Sequence, residues 1–153
     1  AALRRGGISF AQRSSGGAPA EDDAVFLLDT LGELQTFYAA ADVAFVGGTL
    51  VPVGGHNLLE PAVLGRPILA GPHTHNAPEI ARLLAESGAL SIVNDAAELA
   101  RQVTGLFDDP PRAAAAGGRG ERAVAANRGA VGRLLALIEP LLRSADGPAT
   151  SSA

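Results

Sequence analysis

Val43-Ala44-Phe45-Val46-Gly47-Gly48 and, further along, Pro67-Ile68-Leu69-Ala70-Gly71-Pro72 set the frame for everything around them. Each is an apolar run too short for a helix, closed by residues that end regular structure. A continuous apolar run without alternation reads as a strand buried on both faces, the habit of a parallel sheet. Between the two lies a second glycine pair, Gly54-Gly55, which opens a helix expected from Asn57 to Leu64. Strand, helix, strand with matching endings is the pattern of a parallel β-α-β unit.

Working outward, the same alternation continues. Upstream, Ile8–Ala11 reads as a strand and Val25–Leu28 as a short buried strand, with a Gly/Ser/Pro loop from Ser14 to Asp23 between them. Apolar residues at Leu31, Leu34, Phe37 or Tyr38, and Ala41 predict a helix from Leu31 to Ala41. Thr30 is its expected N-cap, with Glu33 as capping-box partner. Downstream, Pro78–Ser87 is a helix with Pro at its start and Gly88 past its end. Ala89–Val93 is a strand, and Asp95 caps a helix reaching about Phe107. A last helix is expected from Arg119 to Leu142 along Val124, Val131, Leu134, Leu135, Ile138 and Leu142, kinked or ended by Pro140. Asn127 interrupts that stripe and reads as a buried amide satisfied by backbone. The Ser/Gly/Pro/Ala tail over residues 144–153 is expected to be disordered. The prediction is one α/β domain over residues 1–143, a doubly wound, Rossmann-like parallel sheet. Such sheets bind ligands at the carboxyl ends of their strands.

Composition narrows the function. The 153 residues are 47% hydrophobic and 18% charged, enough apolar content for a packed core and too little charge for a disordered tail. Net charge is −4 and no stretch gathers arginines, so a nucleic-acid footprint is missing. With no Cys there is no disulfide, thiolate metal site or cysteine nucleophile, which suits a reducing compartment. No apolar run approaches a membrane span, and Arg4-Arg5 lead into no signal-peptide core. The chain starts in mid-pattern without Met, as expected of a piece of a longer protein.

The chemistry concentrates in Gly47-Gly48-Thr49-Leu50-Val51-Pro52-Val53-Gly54-Gly55-His56-Asn57-Leu58-Leu59-Glu60-Pro61. Glycines remove side chains where a strand passes into a helix. Backbone N–H groups can then approach a ligand, and the helix start favours phosphate or carboxylate. Neither the dinucleotide fingerprint nor a P-loop is present. Asn57 and Glu60 also fit a capping-box variant, so both a structural role and a ligand role stand open, and Glu60 suits a ribose diol. His56 sits between the glycine pair and the helix. His73 follows Gly71-Pro72, a place for a polar ligand contact. His73-Thr74-His75 lacks a third ligand, so no metal site is expected. Asp29-Thr30-Leu31-Gly32-Glu33-Leu34 also follows a strand end. Gly32 in a first helical turn costs about 1 kcal/mol against Ala, which points to close approach of a ligand or a neighbouring loop.

Taken together, Asp29–Leu34, Ala41–Gly48, Gly54–Ala62 and Gly71–Asn76 resemble motifs of the C-terminal half of the bacterial 3-deoxy-D-manno-octulosonic acid (Kdo) transferases, with the likeness running from about Ile8 to Leu142. The resemblance implies a glycosyltransferase of the GT-B class, built from two Rossmann-like domains, whose C-terminal domain binds CMP-Kdo. It implies a role in lipopolysaccharide synthesis at the cytoplasmic face of the inner membrane. The donor-binding set it implies here is Arg13, Gly32, Glu33, Gly54, Gly55, His56, Asn57, Glu60, Pro72 and His73. The catalytic base, the lipid A precursor acceptor and any membrane contact would belong to the other half, so the chain alone is expected to be inactive. No cofactor, metal or nucleic-acid partner is implied. Ala77 departs from the family, where an aromatic is usual after Asn76. Three alternatives stay open: a GT-B transferase using a UDP-sugar, a sugar-nucleotide epimerase, and a stand-alone nucleotide-binding or scaffold module.

Overall fold

The computed structural model of the chain describes residues 2–16 and 18–128. Strands form where the apolar runs lie: β1 (Phe10–Gln12), β2 (Val25–Leu27), β3 (Ala44–Val46), β4 (Ile68–Ala70) and β5 (Leu90–Ile92). The helices are α1 (Ala2–Arg5), α2 (Leu34–Ala40), α3 (Leu59–Val63), α4 (Pro78–Glu86), α5 (Ala96–Phe107) and α6 (Pro110–Asn127). Pairing is parallel throughout, with registers beginning at Phe10↔Val25, Ala44↔Ile68 and Ile68↔Leu90. The fold is therefore the parallel α/β arrangement read from the pattern. Its hydrogen-bonded ladder divides in two, β1-β2 and β3-β4-β5.

The central strand β4 is buried at every residue, as its unbroken apolar run requires. Ile68 and Ala70 join Val46 and Leu90 in a core closed by Leu58 and Ala62 around α3 and by Ala81 and Leu84 of α4. Leu69, on the opposite face, is buried as well. Burying each such Leu or Ile stabilises the fold by about 1.5–3 kcal/mol. Among the described residues, none before Ala44 is fully buried, so Val25–Leu27 is not the buried strand its apolar run predicts; only one neighbouring strand and α2 cover it. There β1, β2 and α2 are held by half-buried contacts such as Phe26 against Phe37, ring centroids 5.5 Å apart. Arg66, at the entry to β4, donates to the Ala39 carbonyl at 2.7 Å and so ties the end of α2 to the larger sheet.

The helix boundaries differ from the reading in instructive ways. α4 begins on Pro78, and Asp95 caps α5 by accepting from the Glu98 N–H at 2.7 Å, both as expected. α2 starts at Leu34, three residues late. Thr30 does not cap it; its hydroxyl donates to the Glu33 carboxylate instead. Leu31, expected on the apolar stripe, is wholly exposed. Gly32 lies before the helix at φ 86° with open space where a Cβ would stand. It makes a left-handed turn, and no neighbouring loop among the described residues approaches it.

α6 starts at Pro110, nine residues before the expected Arg119, with Asp109 accepting from the Arg112 N–H at 3.0 Å. Gly117 and Gly118 look like breakers in sequence, each costing about 1 kcal/mol in a helix. Packing overrides that cost, because a Cβ on Gly117 would overlap the Gly65 carbonyl, and Gly120 sits against Ala62 and Ala89. Small residues let α6 lie close on α3. Asn127 is exposed, not buried, though its amide does donate to backbone, the Ala123 carbonyl, at 2.8 Å. Val131, Leu134, Leu135, Ile138, Pro140, Leu142 and the tail over residues 144–153 lie outside the described residues.

Candidate functional site

β3 and β4 are neighbours, so the loops leaving Val46 and Ala70 emerge side by side at the carboxyl edge of the sheet. Thr49 joins them. Its side chain is fully buried; the hydroxyl donates to the Val46 carbonyl at 2.6 Å and accepts from the Gly71 N–H at 2.7 Å. Its own carbonyl accepts from the His73 N–H at 3.0 Å. Gly71 has no room for a side chain, because the Thr49 backbone occupies that space.

The second glycine pair folds back over this junction. Gly54 and Gly55 hold φ of 99° and 76°, left-handed values that side chains resist. The Gly55 N–H donates to the Gly48 carbonyl at 3.0 Å, and a Cβ on Gly55 would overlap the Thr49 methyl. A Cβ on Gly54 would overlap the Asn76 amide, which donates to the Gly55 carbonyl at 3.1 Å and to the Val53 carbonyl at 3.4 Å. Both glycines are thus required by the loop itself, whatever it binds.

Beyond the pair, the N–H groups of His56, Asn57 and Leu58 donate to no described acceptor in the chain. Asn57 accepts from the Leu59 N–H at 3.0 Å, and its amide donates to the Glu60 carboxylate at 3.1 Å. The capping role is therefore real for Asn57. Glu60 reaches the Asn57 side chain and not the backbone N–H of a capping box, and its other oxygen keeps its acceptor capacity. α3 spans only Leu59–Val63, shorter than expected, so attraction for an anion rests on unpaired N–H donors more than on a helix dipole. Beside Glu60 opens a cleft of ≈ 240 Å³ lined by Gln35, Asn57, Leu59, Val63 and Leu64. The Glu60 charge also reaches α2, where burial first and that carboxylate second push the Tyr38 phenol up. His56, Pro72 and His75 are exposed, and His73 is half-buried.

A second polar cluster stands at the carboxyl ends of β1 and β2. Arg13 and Glu33 meet in a two-pronged pair, with Nη2 to Oε1 at 2.8 Å and Nε to both carboxylate oxygens at 3.1 Å. The Arg13 hydrogen bonds, helped by the Thr30 hydroxyl, hold the Glu33 carboxyl low, and Glu33 in turn raises Arg13. Asp29 accepts from the Ser14 hydroxyl at 2.6 Å, the Ser14 N–H at 2.9 Å and the Gln12 amide at 2.6 Å. Those donors, the Ser14 hydroxyl first, bring its carboxyl down to about 2. Arg13 and Glu33, from separate motifs, thus meet each other, a pairing the sequence did not announce, and Gly32 stands next to Glu33 in the chain. This cluster lines a different hollow from the Glu60 cleft, one of ≈ 570 Å³. A third hollow of ≈ 400 Å³, walled by Asp42, Arg66, Pro67 and Phe107, lies at the amino ends of β3 and β4, the edge such sheets leave without a site.

Sequence reasoning passed over Thr49, Asn76 and Asp29 as functional side chains. Thr49 carried one legible signal, a branched hydroxyl residue set directly after a glycine pair. Asn76 and Asp29 stand inside motifs quoted above, but nothing local marks their hydrogen bonds, because the partners lie on loops distant in sequence.

No family model matches the chain. It is 41% identical over 141 residues to the 3-deoxy-D-manno-octulosonic acid transferase of Haemophilus influenzae, covering 92% of this chain and 33% of that protein. It is 39% identical over 143 residues to the enzyme of the same name from Bordetella pertussis, covering 93% of this chain and 33% of that protein. The chain therefore spans about a third of the length of these curated relatives. Among solved structures it resembles the C-terminal CMP-Kdo binding domain of WaaA from Acinetobacter baumannii, with a TM-score of 0.76 and 30% identity over 80% of this chain and 64% of that one.

Proposed function

We propose that this chain, homologous over most of its length to about a third of the Kdo transferases, is the part of such an enzyme that binds the activated sugar. The donor is CMP-Kdo. The observation that carries this reading is the pair of glycine loops at the carboxyl ends of β3 and β4, locked together by hydrogen bonds and followed directly by N–H groups that meet no described acceptor and by Glu60. The turn Gly54-Gly55-His56-Asn57 offers those donors to the phosphate and the sugar acid. Glu60, with an oxygen left to accept, takes the ribose hydroxyls. Pro72 and His73 flank the turn from the second loop. Arg13, whose Nε and one Nη2 proton are taken by Glu33, meets an anionic group of the donor through the N–H groups that pair leaves, held in place by it.

In the reaction an acceptor hydroxyl attacks the anomeric carbon of Kdo, the bond to the phosphate of CMP breaks, and a base takes the hydroxyl proton. A base must lie within hydrogen-bond reach of that hydroxyl. We assign the base, the lipid A precursor acceptor and membrane contact at the cytoplasmic face of the inner membrane to the remainder of the longer enzyme. Among the described residues, no helix is long and apolar enough to cross a membrane.

Calorimetric titration of residues 1–153 with CMP, UMP and CMP-Kdo tests the reading. Weak binding of CMP and CMP-Kdo, with UMP weaker still, is the expected result, because an open half-site forgoes part of its contact surface. Preference for UMP would favour a UDP-sugar enzyme. A folded chain blind to all three ligands would overturn the donor assignment.

A further inference from the structure

We infer that Thr49 is a positioning residue that fuses the two glycine loops into one preformed donor cradle, with Asn76 as its outer latch. The inference rests on the donor-binding reading above. The β3-β4 ladder ends at Val46 and Ala70, and nothing in a β-ladder fixes what two loops do beyond it. Here the pairing is continued by one side chain. The Thr49 hydroxyl both donates, to Val46, and accepts, from Gly71, so its full burial leaves neither function unmet. The Thr49 carbonyl then takes the His73 N–H, while its methyl supports Gly55. Displacing Thr49 therefore moves Gly55-His56-Asn57 and Pro72-His73 together, the segments assigned to the donor from both loops.

Asn76 closes the same assembly from outside. It is exposed, yet its amide spans back to the Gly55 and Val53 carbonyls. Removing it opens the latch without touching the core. A site held in its binding geometry before the ligand arrives forgoes the ordering cost that a loose loop would impose on binding. Valine is nearly the shape of threonine, so Thr49→Val deletes the hydroxyl while filling the space, and leaves the Gly71 N–H buried without an acceptor.

The test titrates residues 1–153 with CMP, at a temperature where circular dichroism shows each variant folded, for wild type, Thr49→Val, Thr49→Ser and Asn76→Ala. Thr49→Val is expected to weaken CMP binding about tenfold. Thr49→Ser, which keeps the hydroxyl and loses only the methyl under Gly55, is expected to keep clearly more affinity than Thr49→Val. Asn76→Ala is expected to weaken binding several-fold with an unchanged melting temperature. A purely structural Thr49 would lower the melting temperature but leave the affinity of the folded protein alone, and that result overturns the proposal. Should Thr49→Val fail to fold, wild-type affinity in Asn76→Ala overturns it instead. If wild type itself does not bind CMP, the donor-binding reading falls and takes this one with it.

Discussion

Replacing Glu60 by alanine separates the two roles that Asn57 and Glu60 could share. Within the chain the substitution removes one hydrogen bond, from the Asn57 amide at 3.1 Å, between side chains that are not fully buried. Such a pair is worth under about 1 kcal/mol, and alanine's better helix propensity returns a few tenths. The melting temperature should therefore fall by no more than about 2–4 °C. If Glu60 instead accepts ribose hydroxyls, losing its charge-assisted bonds costs about 1.5–3 kcal/mol, roughly 10- to 100-fold in affinity. Asn57→Ala is the matched control. It removes the acceptor that holds the Leu59 N–H at 3.0 Å, a capping interaction worth about 1 kcal/mol. The assay is calorimetric titration with CMP alongside thermal melting of both variants. Glu60→Ala should lose affinity and keep its fold, while Asn57→Ala should lose more stability. If Glu60→Ala melts well below wild type yet binds CMP equally, the carboxylate is a helix-start residue and the ribose assignment is wrong.

Gly117→Ala should lower the melting temperature, because its Cβ meets the Gly65 carbonyl; about 1–3 kcal/mol of overpacking outweighs about 1 kcal/mol of helix propensity. An unchanged or raised melting temperature would mean that α6 can move off α3. The acid limb of stability should flatten in Asp29→Asn. The folded carboxyl is held at about 2 against 3.8, so its contribution is full above the unfolded value and is lost as pH falls through the folded one. Melts from about pH 4 to about pH 2 check this, and identical slopes in wild type and variant would discount the Ser14–Gln12–Asp29 network. Exhaustive chelation should leave CMP affinity unchanged, since His56, His73 and His75 join no three-residue ligand cluster among the described residues. A loss restored by one divalent ion would point to His73 and His75.

Local pattern and tertiary packing divided the work along a clear line. The apolar runs at Val43–Val46 and Pro67–Ala70 announced strands buried on both faces; β4 is buried at each residue, while in β3 Phe45 is only half-buried. Pro78, Gly88 and Asp95 marked helix ends where the structure has them, because capping is a contact between near neighbours. The glycines after Val46 and Ala70 stand at the carboxyl edge of the sheet, as their place after two apolar runs implies. Their detailed purpose was another matter. Gly54 and Gly55 read as openings for a ligand, and the structure gives them Asn76 and Thr49 as neighbours.

What the chain alone could not disclose is whatever depends on residues far apart in sequence meeting in space. The last helix read as starting at Arg119, after Gly117 and Gly118, since propensity is a local average, and only the Gly65 carbonyl across the interface explains a glycine at 117 inside it. Leu31 fitted a helical stripe and is exposed, because the turn at Gly32 delays the helix to Leu34. Thr49 reaches Gly71 across 22 positions and Arg13 reaches Glu33 across 20. Periodicity is written in residue types and survives without the fold. A hydrogen bond between two loops exists only after the sheet has set their strands side by side, so the candidate site's residues could be listed from the sequence and their geometry came only with the folded chain.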